Sequence, residues 1–315
     1  MTRIGEFDVL PLSLGGNVFG WTADRDASFA VLDAFREGGG DFIDTADSYS
    51  AWVPGHAGGE SETIIGEWLA SRRPENVVVA TKVSQHPDFK GLSASNVRAA
   101  AEASLRRLGT DRIDLYYAHF DDAATPLEET VAAFGALVSD GLVRNVAVSN
   151  YSADRIREWI RLADELGVAA PVAVQPHYNL VHRVEFERDI APVAAEFDLA
   201  VVPYFSLAKG FLTGKYRSVE TDGHASPRAG AAAAYATPEG LQLIDTMGRI
   251  AGGHGASVAA VALAWLRVQP TVVAPLASAS RVEQVADLLA GARLELAPDE
   301  IAALSAISER MPAGV

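Results

Sequence analysis

The chain contains no cysteine. That excludes a disulfide framework, a thiolate metal site and a thiol nucleophile. Lysine is almost as scarce, with four in 315 residues. The formal net charge is −15. Phosphate backbones require clustered Lys and Arg, so no nucleic-acid interface is expected. No apolar run approaches the ~20 uncharged residues of a membrane span, so no membrane partner is expected. The stretch Met1 to Asp8 has neither a hydrophobic signal core nor Arg-rich amphipathic character. Apart from His119, the histidines (His56, His86, His177, His182, His224, His254) show no paired metal-ligand spacing, and no metal is expected. A Gly-x-Gly-x-x-Gly run opening a helix is also absent, which removes the Rossmann fingerprint. A cytoplasmic protein acting on a small molecule is the expectation.

What is present is a rhythm. Hydrophobic residues make up 49% of the chain, enough for a sizeable core. Residues 3 to 11 read as a short hairpin able to plug a barrel. Apolar strand segments then recur at Leu12–Leu14, Phe42–Asp44, Val77–Lys82, Ile113–His119, Val143–Val148, Val172–Val174, Leu199–Val202 and Thr271–Ala274. From the second to the seventh, the spacing is roughly 28 to 36 residues, the size of one βα unit. Helical segments fill the gaps. Asp26 to Glu37 carries an apolar stripe and ends on Gly38-Gly39-Gly40. Ser93 or Ser95 caps a third helix, and Ser152 a fifth. Thr125-Pro126-Leu127-Glu128 reads as a capping box. The gap between strands seven and eight is about twice the usual length, so an insertion is expected there. Residues 217 to 237 read as a mobile loop within it, followed by helices opening at Thr237-Pro238 and near Ser257. The expected fold is α/β, a single (β/α)8 TIM-barrel domain over residues 1–315. It carries an N-terminal β-hairpin and extra helices after strand seven and at the C-terminus.

Barrel enzymes place their chemistry where strands end. Asp44 ends the second strand, with Tyr49 on the loop beyond it. Lys82 ends the third and His119 the fourth. Taken alone, Lys82 reads as a snorkelling strand end and His119 as a structural histidine. Together they suit carbonyl reduction. Hydride arriving on carbon leaves negative charge on oxygen, and a group must protonate it. A free phenol has a pKa of about 10. An ammonium beside Tyr49 favours the phenolate, and Asp44 would keep Lys82 charged in a dry site. His119 would hold the substrate oxygen by a hydrogen bond. Asp47 reads as a loop-capping carboxylate, and Asp121 and Asp122 as solvated loop charges.

Asp44, Tyr49, Lys82 and His119, in that order on those strand ends, resemble the catalytic tetrad of the aldo-keto reductases, in particular the bacterial and potassium-channel-β-like branch. The resemblance implies a nicotinamide cofactor. Gly16 and Asn17, after the first strand, match a segment beside the nicotinamide. Ser149, Asn150 and Gln175 match the residues that bind its carboxamide, and Tyr204 the aromatic that stacks on its ring. Ser206, Leu207, Lys209 and Gly210 belong to a run resembling the pyrophosphate loop. Ser278, Ser280, Arg281 and Gln284 match the adenosine side, with Arg281 the partner for a 2′-phosphate. Ser278 and Gln284 stand where many members carry lysine and arginine, and Leu288 where asparagine is common. NADP(H) is therefore implied with a weakened preference, and NAD(H) is compatible. Trp21 and Trp52 are expected pocket walls. The implied activity is reversible reduction of an aldehyde or ketone. A non-catalytic nucleotide-sensing subunit is the first alternative, and a metal-dependent barrel hydrolase the second.

Overall fold

The computed structural model describes residues 1–217 and 229–311. The chain opens with an antiparallel hairpin, β1 (Thr2–Ile4) and β2 (Phe7–Val9), in which Ile4 faces Phe7. Alternation buries Ile4, Phe7 and Val9 against Phe42, Val78, Leu115 and Ala147 of the barrel interior, so the hairpin is the expected plug.

The first three barrel strands are β3 (Ser13–Gly15), β4 (Phe42–Asp44) and β5 (Val78–Val83). The segment after β5 folds into a small hairpin, β6 (Gln85–His86) and β7 (Phe89–Lys90). The remaining barrel strands are β8 (Ile113–Ala118), β9 (Val143–Ser149), β10 (Pro171–Gln175), β11 (Ala200–Val201) and β12 (Leu276–Ala277). All eight pair in parallel in chain order, and β12 returns to β3. The ring closes where Val201 N–H donates to Thr271 O (3.0 Å) and Val273 N–H to Val201 O (2.9 Å). Strand eight is thus shifted from the expected Thr271–Ala274. Pro275 has no N–H to give and divides the segment. Its first half bonds β11, and its second half bonds β3 on one side and the carbonyl of Pro203, just beyond β11, on the other.

Helices cover the outside. They are α1 (Arg25–Glu37), α2 (Glu60–Arg72), α3 (Ala94–Leu108), α4 (Leu127–Ser139), α5 (Ala153–Leu166) and the short α6 (Ala191–Glu196). After β11 come α7 (Ala229–Ala233), α8 (Pro238–His254) and α9 (Val258–Arg267). After β12 come α10 (Glu283–Gly291) and α11 (Pro298–Ser308). Ser152 caps its helix through its side-chain oxygen, as expected, and Thr237 and Ser257 do the same where helices were expected to open. Ser93 takes the N-cap position of α3 but makes no side-chain cap. Glu129 of α4 instead accepts from Ala94 N–H at 2.8 Å. The capping box at Thr125 does not form. Its hydroxyl donates to Asp122 (2.7 Å), and Pro126 becomes the cap residue. Of the expected mobile loop, residues 218–228 lie outside the described residues, while 229–233 form α7. No described helix is long and apolar enough to cross a membrane.

Candidate active site

Period-two alternation aims the chemistry inward. Phe42 and Ala80 lie in the interior cluster, whereas Ile43 and Val79 pack outward under α1 and α2. Asp44 and Lys82 follow the inward register at the strand ends, and both are completely buried. The Lys82 ammonium has three donors and uses all of them. They go to Asp44 Oδ1 (2.5 Å), Thr45 O (2.7 Å) and Tyr49 Oη (3.1 Å). Asp44 Oδ2 accepts from Gln175 Nε2 at 2.8 Å. The Tyr49 and His119 rings lie 6.2 Å apart, centroid to centroid. The structure thus brings Asp44, Tyr49, Lys82 and His119 together.

Burial lowers the Lys82 pKa, and the charge and hydrogen bond of Asp44, with Asp47 and Glu62 behind it, oppose that fall. Burial, with the Lys82 charge, holds His119 well below its ordinary value, so the imidazole is neutral.

A second set of carboxyl groups stands behind the first. Glu62 of α2 is fully buried, and accepts from Thr81 Oγ1 (2.5 Å) and Arg107 Nε (2.6 Å). Asp47 does not cap its loop. Both its oxygens are buried without a hydrogen-bond partner, and burial and Glu62 push its pKa well up. Its backbone N–H donates to Lys82 O at 3.2 Å. Nor are Asp121 and Asp122 simply solvated. Asp121 takes both its bonds from Arg155 (2.8 Å each), and Asp122 accepts from Leu92 N–H (2.8 Å).

A cleft of about 960 Å³ opens above Tyr49. Ser149, Asn150, Gln175, Tyr204, Ser206, Leu207, Lys209 and Gly210 line it, as do Asn17, Ser278, Ser280, Arg281, Gln284, Trp21 and Trp52. Asn150 is a junction: its Nδ2 donates to His119 O (2.9 Å) and its Oδ1 accepts from Tyr204 Oη (2.8 Å). The Tyr204 ring is backed by the stacked rings of His177 and then His182. Burial, His182 and Lys209 hold His177 down to about 3, so this stack is neutral at its centre. The turn beyond, Ala208–Thr213, carries positive φ at Ala208, Lys209 and Gly210. Ser278 Oγ donates to Asn17 Oδ1 (2.6 Å), joining the loops after β3 and β12. Gln284 Oε1 accepts from the N–H groups of Ser280 (2.9 Å) and Arg281 (3.2 Å) and so shapes that loop. Arg281 itself has no ion pair among the described residues.

Gly16 is not among the residues lining the cleft. A Cβ there would meet Ser61 Oγ at 2.7 Å and Asp44 O at 3.2 Å, so the protein's own atoms explain the glycine. Lining residues that had no reading in the sequence include Phe120, Phe205 and Asp287. Phe120 directly follows His119, the one signal that could have marked it. No group of three or more His, Asp or Glu able to hold a metal occurs among the described residues.

Fold and site together define an oxidoreductase barrel, and sequence comparison agrees. The aldo/keto reductase family model matches residues 11–309. The chain belongs to that family and is an enzyme of its oxidoreductase type. It is 32% identical to a probable voltage-gated potassium channel subunit beta of Oryza sativa subsp. japonica, over 89% of this chain and 86% of that protein. It is 33% identical to the oxidoreductase YrpG of Bacillus subtilis (strain 168), over 90% of this chain and 88% of that one. The structure of the glycerol dehydrogenase AKR11B4 from Gluconobacter oxydans superposes with a TM-score of 0.84 at 29% identity, covering 98% of this chain and 95% of that one.

Proposed function

We propose that the protein is an NADP(H)-dependent reductase of aldehydes or ketones, with Tyr49 as the proton donor. The observation that carries this reading is the contact of Tyr49 Oη with Lys82 Nζ (3.1 Å), itself 2.5 Å from Asp44, at the floor of an open cleft.

The cleft suits a dinucleotide phosphate. The chain is strongly acidic, yet among the described residues the charged ones lining the cleft are Lys209, Lys215 and Arg281 against Asp287. Half of the protein's lysines are therefore spent on one wall, where phosphate oxygens need cations. Arg281 would take the 2′-phosphate, and the turn around Lys209 and Gly210 the pyrophosphate. Ser149, Asn150 and Gln175 would hold the carboxamide, and Tyr204 would stack under the ring. When bound, the nicotinamide supplies the hydride.

The chain's own groups do the rest. Lys82, fixed by Asp44, places positive charge beside the phenol and favours the phenolate. Tyr49 gives its proton to the carbonyl oxygen as charge develops there, and takes it back from the alcohol in the reverse direction. The neutral His119 imidazole adds a hydrogen bond to the same oxygen without competing as an acid. The new C–H bond comes from the hydride and the new O–H bond from Tyr49, so the alcohol is complete.

Tryptophan fluorescence titrated with NADPH and then NADH tests the cofactor. Quenching by NADPH at lower concentration supports the reading. Tighter NADH binding reverses the cofactor choice, and no binding of either removes the hydride donor. Steady turnover of an aldehyde separates an enzyme from a nucleotide-sensing subunit.

A further inference from the structure

The outer face of β4 and β5 carries a second, buried polar layer. Beyond β4 the chain stays in step with β5. Thr45 N–H donates to Ala80 O (2.8 Å) and Asp47 N–H to Lys82 O (3.2 Å). Alternation then sets Asp44 and Lys82 on the inner face, and Thr45, Asp47 and Thr81 on the outer one. The two hydroxyls fit that register, since both donate to α2. Thr45 reaches Ser61 Oγ (2.8 Å) and Thr81 reaches Glu62 Oε1 (2.5 Å).

Glu62 in this layer is fully buried, and Arg107 of α3 meets its charge at 2.6 Å. Asp47 is also fully buried, but neither of its oxygens has a hydrogen-bond partner among the described residues. The groups around it come from four elements: Glu62 of α2, Arg107 of α3, Lys82 of β5 and Tyr116 of β8, whose hydroxyl is likewise buried and unpartnered. On the loop side, a Cβ on Gly58 would meet both the His86 ring of β6 (2.8 Å) and Asp47 O (3.2 Å). A carboxyl without partners is unfavourable in such a place, and more so when ionised. Packing alone would therefore favour an apolar side chain. What the carboxyl adds is charge, which acts on the Lys82 ammonium from outside while Asp44 acts from inside.

We propose that Asp47 is a positioning residue for the proton donor: it balances the Lys82 ammonium from the outer face and so holds the proton on Tyr49 to higher pH. The catalytic use of this device rests on the reductase reading. Asp47 does not line the cleft and touches no substrate. A charged Lys82 draws Tyr49 toward the phenolate. Once Asp47 loses its proton, its negative charge offsets the ammonium and opposes a further negative charge on Tyr49. Asp47, Lys82 and Tyr49 thus titrate as one coupled set. Tyr49 then keeps, into the alkaline range, the proton that reduction consumes.

Ultraviolet absorbance of the phenolate reads this without substrate or cofactor. The difference between the parent and Tyr49→Phe, followed against pH, gives the titration of Tyr49. The difference between Asp47→Asn and Asp47→Asn/Tyr49→Phe gives the same titration without the Asp47 charge. Tyr49 is expected to ionise about one pH unit lower in the Asp47→Asn pair, the scale of one neighbouring charge. Arg107→Met leaves the Glu62 charge unmet and should move the transition the opposite way, upward. The alkaline limb of kcat for NADPH oxidation with 4-nitrobenzaldehyde should fall with the phenolate in Asp47→Asn. Melting curves show that each variant is folded, and if Arg107→Met is not, the Asp47→Asn pair decides alone. An unmoved Tyr49 transition in that pair, or a rate lowered equally at every pH, overturns the inference and leaves the reductase reading standing. A shifted phenolate in a protein that binds NADPH but turns over no aldehyde overturns the reductase reading, and with it the catalytic role of Asp47.

Discussion

Replacing Lys82 by methionine isolates what the buried charge pair contributes. Lys82 and Asp44 are both fully buried, 2.5 Å apart. Without the ammonium, the Asp44 carboxylate keeps the 2.8 Å bond from Gln175 and a weak 3.5 Å contact with Tyr49. Removing one partner of a buried ion pair costs about 3–5 kcal/mol, because the survivor is an uncompensated charge. At about 2 °C per kcal/mol for a chain of this size, the melting temperature of Lys82→Met should fall by roughly 6–10 °C. The double variant Asp44→Asn/Lys82→Met has no stranded charge, and its asparagine still accepts from Gln175. It should melt within about 4 °C of the parent, a coupling of roughly 2 kcal/mol or more. Reductase activity should be lost in both variants, since neither has a cation beside Tyr49. Circular dichroism melts of the parent, both single variants and the double variant give the full cycle. If the double variant melts no higher than Lys82→Met, the stranded-charge argument is wrong.

Tyr49→Phe should lower kcat by ~10²-fold or more with NADPH binding intact, as expected for loss of a general acid. Unchanged turnover would remove Tyr49 from the mechanism. Asp47→Asn probes the buried, unpartnered carboxyl group. A carboxyl whose folded pKa is raised stabilises the fold fully below its unfolded value of about 4, and that contribution is lost as pH rises through the folded value, at about 1.4 kcal/mol per pH unit. Melting temperatures of parent and Asp47→Asn should therefore coincide near pH 4 and diverge in favour of the variant as pH rises. Parallel curves would show that Asp47 ionises freely. Arg281→Ala should weaken NADPH about tenfold in the fluorescence titration and leave NADH within about twofold, as loss of one charge-assisted phosphate contact predicts. Equal loss for both cofactors would place Arg281 away from the 2′-phosphate.

Most barrel strands were legible because each ends an apolar run on a polar side chain or a turn. Strand eight was not. Its apolar residues lie at Thr271–Ala274, but its pairing is divided at Pro275, and which neighbour each half bonds depends on ring closure. Caps divided along the same line. Ser152, Thr237 and Ser257 act on N–H groups three residues away and were readable. The bond from Ala94 to Glu129 spans two helices and was not.

Within the site, the readable residues are those whose cost shows locally. A lysine ending an apolar strand is conspicuous because an unpaired buried ammonium is unfavourable. Asp47 shows no such sign. On sequence it is one more polar residue in a loop, and its burial, with the bonded pair Glu62 of α2 and Arg107 of α3 acting on its charge, shows only in the folded chain. Gln175 had a reason from the family resemblance, but its bond to Asp44 crosses 131 positions. That bond links the residue proposed to hold the carboxamide to the carboxylate that orients Lys82. A shift of Gln175 would therefore disturb Asp44, and through Lys82 the phenol of Tyr49. The proposed cofactor site and proposed proton donor share one buried hydrogen-bond chain, which only the closed barrel assembles.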